Sequence, residues 1–206
     1  MIRRTFATLA TFSLLMLLPL TAVADDDQAT LARLRSEAAK LETLSSDFVQ
    51  EKYLEIFNDV LTAHGRFYYR RPDALRWELL DPVKTGFVLN GEDGQRWHER
   101  SGNQESFTIA RDPVMNIVAR ELLAWTRVDL DELVTRYTIR VENHDPIRLH
   151  LTPLTDTAGF LEYLLIEFAP QAGHVRLVEV HEPGGDYTRI RFTNTRINEP
   201  LAKELF

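Results

Sequence analysis

The chain contains no cysteine. That excludes a disulfide framework, a thiolate zinc site, a cysteine nucleophile and a lipid-modified N-terminal cysteine. Basic charge is in deficit: 24 Lys and Arg stand against 31 Asp and Glu, a formal net charge of −7, so a domain-wide basic footprint for nucleic acid is absent. Enzyme signatures are missing too. There is no Gly-x-Ser-x-Gly elbow, no Walker loop and no His-Glu-x-x-His. The six histidines, His64, His98, His144, His150, His174 and His181, include no helical metal-ligand pair, and no metal site or cofactor is expected. With 44% hydrophobic and 27% charged residues in 206, the composition is that of one folded globular domain, neither disordered nor collagen-like.

Long apolar runs are confined to the N-terminus. Arg3 and Arg4 precede an apolar stretch from Phe6 to about Leu20, which ends in the small-x-small triplet Ala22-Val23-Ala24. Its uninterrupted apolar core, Leu14 to Leu20, is too short for the ~20 residues of a membrane span. Residues 1–24 are therefore expected to be a secretory signal peptide, cleaved after about Ala24, leaving a domain over 25–206. Removing two arginines and no acids takes the net charge from −7 to −9.

From Gln28 to about Leu44, Leu31, Leu34, Ala38, Leu41 and Leu44 recur at helical spacing and predict an amphipathic helix. The period then becomes two. Leu61, Ala63, Gly65, Phe67 and Tyr69, then Leu75, Trp77 and Leu79, alternate with polar residues, as do Tyr137, Ile139 and Val141 and then Ile147, Leu149 and Leu151. Runs at 160–168, 175–181 and 187–194 are also strand-like. Turn residues separate them, among them Asn90-Gly91, Asp93-Gly94 and Pro183-Gly184-Gly185. The pattern predicts a mainly β fold: a strongly curved antiparallel sheet or barrel of about nine to eleven strands. A helical insert interrupts it. Asp112-Pro113 reads as an N-cap with proline at the first helical position, Val114, Ile117, Val118, Leu122 and Trp125 fall near one helical face, and Leu130, Leu133 and Val134 suggest a second short helix.

Aromatic residues carry the functional signal. Phe67, Tyr69, Trp77, Phe87, Trp97 and Phe107 recur on successive strands, and Phe48, Phe57 and Phe160 are candidates to join them. Two readings stay open at this point: an ordinary packed core, or the wall of a container, since a curved sheet with helices over its open face suits an apolar ligand.

The stretch Gly65-Arg66-Phe67-Tyr68-Tyr69-Arg70-Arg71-Pro72-Asp73-Ala74-Leu75-Arg76-Trp77-Glu78 resembles the signature of the LolA family, periplasmic carriers of lipoproteins to the outer membrane of Gram-negative bacteria. Leu44-Ser45-Ser46-Asp47-Phe48-Val49-Gln50, the Asn90-Gly91 turn and the closing Phe192-Thr193-Asn194-Thr195-Arg196-Ile197-Asn198 resemble it as well. The resemblance implies an incomplete, unclosed antiparallel β-barrel with an α-helical lid. It implies a monomeric periplasmic carrier, not an enzyme, whose hydrophobic cavity holds the acyl chains of lipoprotein cargo. That cargo would come from an inner-membrane ABC exporter and go to an outer-membrane receptor, with no nucleic acid involved. It makes Phe48, Phe67, Tyr69, Leu75, Trp77, Phe87, Trp97 and Phe107 the candidate cavity wall and Val114, Ile117, Val118 and Leu122 the candidate lid helix. It makes Arg71 the candidate latch that ties lid to barrel, a role suited to a guanidinium with five donors in a fixed fork. Family members continue past the position of Phe206 with an extra strand or loop, so another hand-off device or another lipid cargo, a glycolipid or polyene ester, is an alternative. A non-transport β-domain is a further one.

Overall fold

The computed structural model describes residues 22–154, 161–170 and 173–206. The expected signal peptide lies almost wholly outside them, as does Phe160. Helix α1 (Ala22–Ala38) leads into a run of antiparallel strands, β1 (Thr43–Leu54), β2 (Asp59–Arg70), β3 (Ala74–Asp81), β4 (Thr85–Asn90), β5 (Asp93–His98) and β6 (Asn103–Thr108). Helices α2 (Pro113–Arg127) and α3 (Leu130–Leu133) follow, and then β7 (Tyr137–His144), β8 (Ile147–Pro153), β9 (Tyr163–Phe168), β10 (Val175–His181) and β11 (Tyr187–Ile197). The eleven strands form one sheet in the order β6-β5-β4-β3-β2-β1-β11-β10-β9-β8-β7. No ladder joins β6 to β7 among the described residues, so this is a large unclosed antiparallel sheet, with α2 and α3 on the connection between its two edges.

Hairpin turns explain the first half. Each strand from β1 to β6 pairs with the next, and the two-residue loop Gly91-Glu92 sets Asn90 opposite Asp93. Period-two alternation then sends Phe48, Gly65, Phe67, Tyr69, Leu75, Trp77, Phe87, Leu89 and Phe107 to one face, the concave one covered by helices. The Phe48 ring lies directly over Gly65, where any Cβ would collide with it. Glycine there lets an aromatic ring fill the space of two side chains.

The predicted first helix ends earlier than its apolar spacing suggests. It stops at Ala38 rather than near Leu44. Turn bonds from Lys40 N–H to Glu37 O (3.1 Å) and Leu41 N–H to Ala38 O (3.1 Å) tighten and close it. Leu44 is instead a strand residue opposite Tyr69 and Ile197. A spacing of four between Leu44 and Phe48 satisfies helix and strand alike, and tertiary pairing decides in favour of the strand. The expected α2 forms as read: Asp112 caps it, its carboxylate accepting from the Met115 N–H at 3.0 Å, and Pro113 occupies the first turn.

Two apolar clusters result. One joins α1 and α3 to β7–β10 through Leu34, Ala38, Leu133, Leu149, Leu151, Leu164, Ile166 and Val178. The other joins α2 to β1–β6 through Phe48, Phe67, Tyr69, Leu75, Phe87, Leu89, Phe107, Met115 and Leu123.

Candidate functional site

Seven of the eight predicted wall residues come together on the concave face. Phe48, Phe67, Tyr69, Leu75, Phe87 and Phe107 are buried there, and Trp77 packs against them. Phe48 stacks on Trp77 with ring centroids 4.1 Å apart, and Phe67 stands 5.8 Å from Trp77. Phe192 completes the group at 6.0–6.3 Å from Phe67, Phe48 and Trp77. Offset and edge-on rings at these distances form a firm wall rather than a fluid filling.

Trp97 borders the hollow at the start of α2 but sends its indole elsewhere. Its register partner is Gly86, so it stands on the opposite face from Phe87, which pairs with Arg96. Its indole packs over Gly86 and under the Arg76 guanidinium, 4.8 Å from the ring centre. The Asn90-Gly91 turn carried the signal: counting back from a two-residue loop places Phe87 opposite Arg96, not Trp97. Phe57 also lies away from the cluster, exposed in the β1–β2 connection.

A hollow opens on the concave face between the sheet and the start of α2. Its volume is about 390 Å³; Trp77, Leu79, Phe87 and Met115 give it apolar walls, Arg96 and Glu105 a charged edge, and Trp97 and His98 also border it. That volume sits near the lower end of the ~300–1,000 Å³ range for small-ligand pockets. Beneath the C-terminal half of α2 the space nearly vanishes, to about 20 Å³ among Phe67, Leu122, Trp125, Val178 and Phe192. The helix is thus seated firmly at one end and stands over open space at the other.

The seated face of α2 is rotated from the predicted one. Met115, Ala119, Leu123 and Ala124 are buried. Val118 and Leu122 pack at its margin, whereas Val114 and Ile117 are exposed. The N-cap geometry and the seating of Trp125 turn the helix so that these two point away from the sheet. Trp125 Nε1 is buried with no hydrogen-bond partner among the described residues, a cost of about 1–3 kcal/mol to the seated position.

Several polar contacts fasten the helices, and two of them lie against the aromatic strands. Arg71 donates from Nε to Leu41 O (2.9 Å) and from Nη2 to Ala39 O (3.0 Å) and Ala38 O (3.3 Å). Its backbone N–H meets Glu42 O at 2.8 Å. These carbonyls lie at and just past the end of α1, where the regular i to i+4 ladder stops, and Ala38 O also accepts the Leu41 N–H. The arginine therefore clamps α1, not α2, to the β2–β3 turn. Helix α2 reaches the same turn through Arg127, which donates to Pro72 O at 3.4 Å.

The second fastening was not legible in the sequence. Arg96, on the concave face of β5, donates to Asp112 Oδ2 at 2.8 Å and to Glu105 at 2.9–3.0 Å. The Met115 N–H, and then Arg96, hold the Asp112 carboxyl below the usual aspartate range, against the opposing push of desolvation. One aspartate thus caps α2 and moors its first turn to the sheet beside the hollow. Among the described residues no group of three or more His, Asp or Glu side chains is placed to hold a metal ion.

Comparison with known proteins follows from this geometry. The family model described as "Outer membrane lipoprotein carrier protein LolA" matches residues 39–206. An outer-membrane lipoprotein carrier protein of Pseudoalteromonas translucida (strain TAC 125) is 24% identical over 187 residues, covering 89% of this chain and 82% of that one. One from Halorhodospira halophila (strain DSM 244 / SL1) is 27% identical over 144 residues, covering 69% and 63%. Among solved structures, an uncharacterized conserved protein from Thermus thermophilus aligns over 87% of this chain and 91% of its own, with a TM-score of 0.54 at 8% identity, a likeness of fold alone.

Proposed function

The chain belongs to the LolA family of outer membrane lipoprotein carrier proteins, and from that premise we propose that it is a periplasmic carrier that shelters the acyl chains of lipoproteins and ferries them from the inner to the outer membrane. The family is one of carriers rather than enzymes. The single observation that carries the reading is the hollow of about 390 Å³ between aromatic strands and the loosely covered start of α2.

The energetics require such a shelter. Each methylene exposed to water costs about 0.8 kcal/mol, so a 16-carbon chain carries on the order of 12 kcal/mol against crossing an aqueous space. A carrier must hide most of that surface and still let go. Packing the site as tightly as a core would prevent release. A lid that closes on the empty cavity competes with cargo instead, and lowers its affinity by the free energy of closing. Helix α2 suits that part. It is seated at its C-terminal half and moored at its first turn by Arg96 and Asp112, and lifting it would join the small inner void to the open hollow. Donor and acceptor, in this reading, are an inner-membrane ABC exporter and an outer-membrane receptor.

Arg71 acts in the same balance by fixing α1. In Arg71→Leu the guanidinium bonds to the three carbonyls at the end of α1 are lost, the closed state weakens, and cargo should load but leave slowly. Arg71→Lys should recover part of the release rate, since one ammonium cannot span three carbonyls. The decisive experiment isolates the secreted protein with its cargo and identifies lipid and polypeptide together by mass spectrometry. Triacylated polypeptide supports the reading. A glycolipid or polyene ester moves the assignment to another lipid cargo, and a lipid-free protein with no uptake of a fluorescent fatty acid refutes transport.

A further inference from the structure

The β1–β2 hairpin ends in the most exposed apolar cluster of the described residues. Ile56 is 83% exposed, Phe57 71%, Leu61 56% and Val60 46%. The hairpin also projects. β1 and β2 stay paired out to Leu54 and Asp59, but β3 first meets β2 at His64. Residues 59–63 therefore run past the end of the neighbouring strand. The hollow opens at this same end of the sheet, where Thr85 pairs with His98 and His98 with Asn103.

Behind the apolar tip stands a tier of tyrosines. Tyr53 stacks on Tyr187 with centroids 5.2 Å apart, and its hydroxyl meets Asn58 Oδ1 at 3.1 Å. Rings with an apolar body and a polar edge favour the boundary between hydrocarbon and water. Two cations stand there, and both are held by carboxylates: Lys52 by Glu182, and Arg189, over the Tyr187 ring at 5.2 Å, by Glu179. The other charges at the tip, Glu55, Asp59 and Asp186, are acidic. Asp186 accepts from the Glu55 N–H at 2.8 Å, which ties the tip to the β10–β11 turn.

We propose that the β1–β2 tip is a membrane-touching element that inserts Ile56 and Phe57 into a phospholipid surface of low negative charge. A convex apolar point needs no matching groove in a fluid bilayer. The acidic collar repels anionic head groups, so the contact selects zwitterionic lipid. Two bulky side chains hide less surface than one acyl chain, and one acyl chain alone gives only reversible attachment, so the touch is brief. It would set the mouth of the hollow against the membrane. The inference extends the carrier reading and rests on it, yet it is read out separately, by membrane binding instead of acyl uptake.

The test is co-flotation with vesicles. Full-length mature protein should float with phosphatidylcholine vesicles and do so less when a third of the lipid, roughly, is phosphatidylglycerol, a difference that shrinks as salt is raised. Ile56→Ser/Phe57→Ser should lower flotation at least about tenfold, with the thermal midpoint and uptake of a fluorescent fatty acid unchanged. Phe57→Leu should keep most of the binding. Because the chain has no cysteine, Ile56→Cys gives a unique site for an environment-sensitive dye, whose emission should shift blue on phosphatidylcholine. Absence of flotation, equal flotation of the serine variant, or preference for phosphatidylglycerol overturns the inference. So does a tip that is silent on vesicles but buried by a protein acceptor. Failed fatty-acid uptake with intact flotation would sink the carrier reading and leave the tip standing.

Discussion

The two halves of the sheet solve the same problem differently. Strands β7–β10 present mostly aliphatic residues to α1 and α3, and Leu149, Leu151, Leu164 and Ile166 are almost wholly buried. Branched side chains alternating on short strands interdigitate and close the space. Strands β1–β6 present rings. Phe48 stacks on Trp77, Phe67 tilts against it, and Phe192 of β11 meets it edge-on, with Phe87 packed in the same cluster, and the start of α2 rides above them with room to spare. Large planar groups hold a wall upright without filling what stands before it. One half is packed solid, and the other leaves a hollow beside its rings.

This contrast can be broken by substitution. The largest effect is expected in the solid half: Leu149→Ala should cost about 2–5 kcal/mol in urea-induced unfolding, with the acyl-binding constant of the remaining folded protein little changed. The chamber should respond the opposite way. Leu79→Trp, placed on the wall of the hollow, should weaken binding of a fluorescent fatty acid by about tenfold or more and leave the unfolding midpoint near wild type. Equal responses of stability and binding in both variants would remove the distinction.

Titration sharpens it further. Burial pushes the His174 imidazole below the usual histidine value, and Gly173 beside it packs against Glu37 and Ala38 at the end of α1. The unfolded chain then binds this proton more readily. Stability from neutral His174 is full above the ordinary histidine pKa of ~6.5 and is lost as pH falls through that value toward the folded one. Asp112 has a lowered value as well, and its contribution persists until pH drops below the ordinary aspartate range and through its own pKa. Glu167, clamped by Arg148 and Arg176 strongly enough to outweigh the cost of its burial, behaves alike. Acidification should therefore loosen the α1 side first, seen as a loss of hydrogen-exchange protection near residues 37–41 between pH 7 and 5, relative to the slower intrinsic exchange at the lower pH. The mooring of α2 should fail only at lower pH. His174→Asn should flatten the first change alone.

The smallest effect concerns the seated end of α2. Trp125→Phe removes the indole N–H that lacks a partner and should stabilise the closed protein by about 1 kcal/mol, slowing uptake of fatty acid. Faster uptake at unchanged stability would show that the indole belongs to the open state instead.

Much of this was readable in advance, and the failures are instructive. Alternation identified most strands, and Asp112-Pro113 announced α2 to the residue. Seven of the eight residues named for the cavity wall share one face of the sheet. Trp97 does not, because every second residue of β5 faces each way and only the loop length of the preceding turn says which. The end of α1 was misplaced because Leu41 and Leu44 keep helical spacing while a strand partner claims Leu44. Periodicity groups Val114 and Ile117 with Val118, Leu122 and Trp125 on one face, but a helix of mixed apolar composition has more than one such face, and these two are exposed. The Arg96–Asp112 mooring joins residues 16 apart across two elements, and nothing in either segment alone marks it.

The order of amino acids by itself determined the strands, the capped start of α2 and the supply of aromatic rings, because propensity, capping and alternation act over a few residues. Only the three-dimensional arrangement decided which ring faces the helices, which carbonyls Arg71 meets and how much empty space remains under α2. Those quantities depend on the separation and tilt of layers brought together from distant parts of the chain, and no local pattern encodes a distance between them.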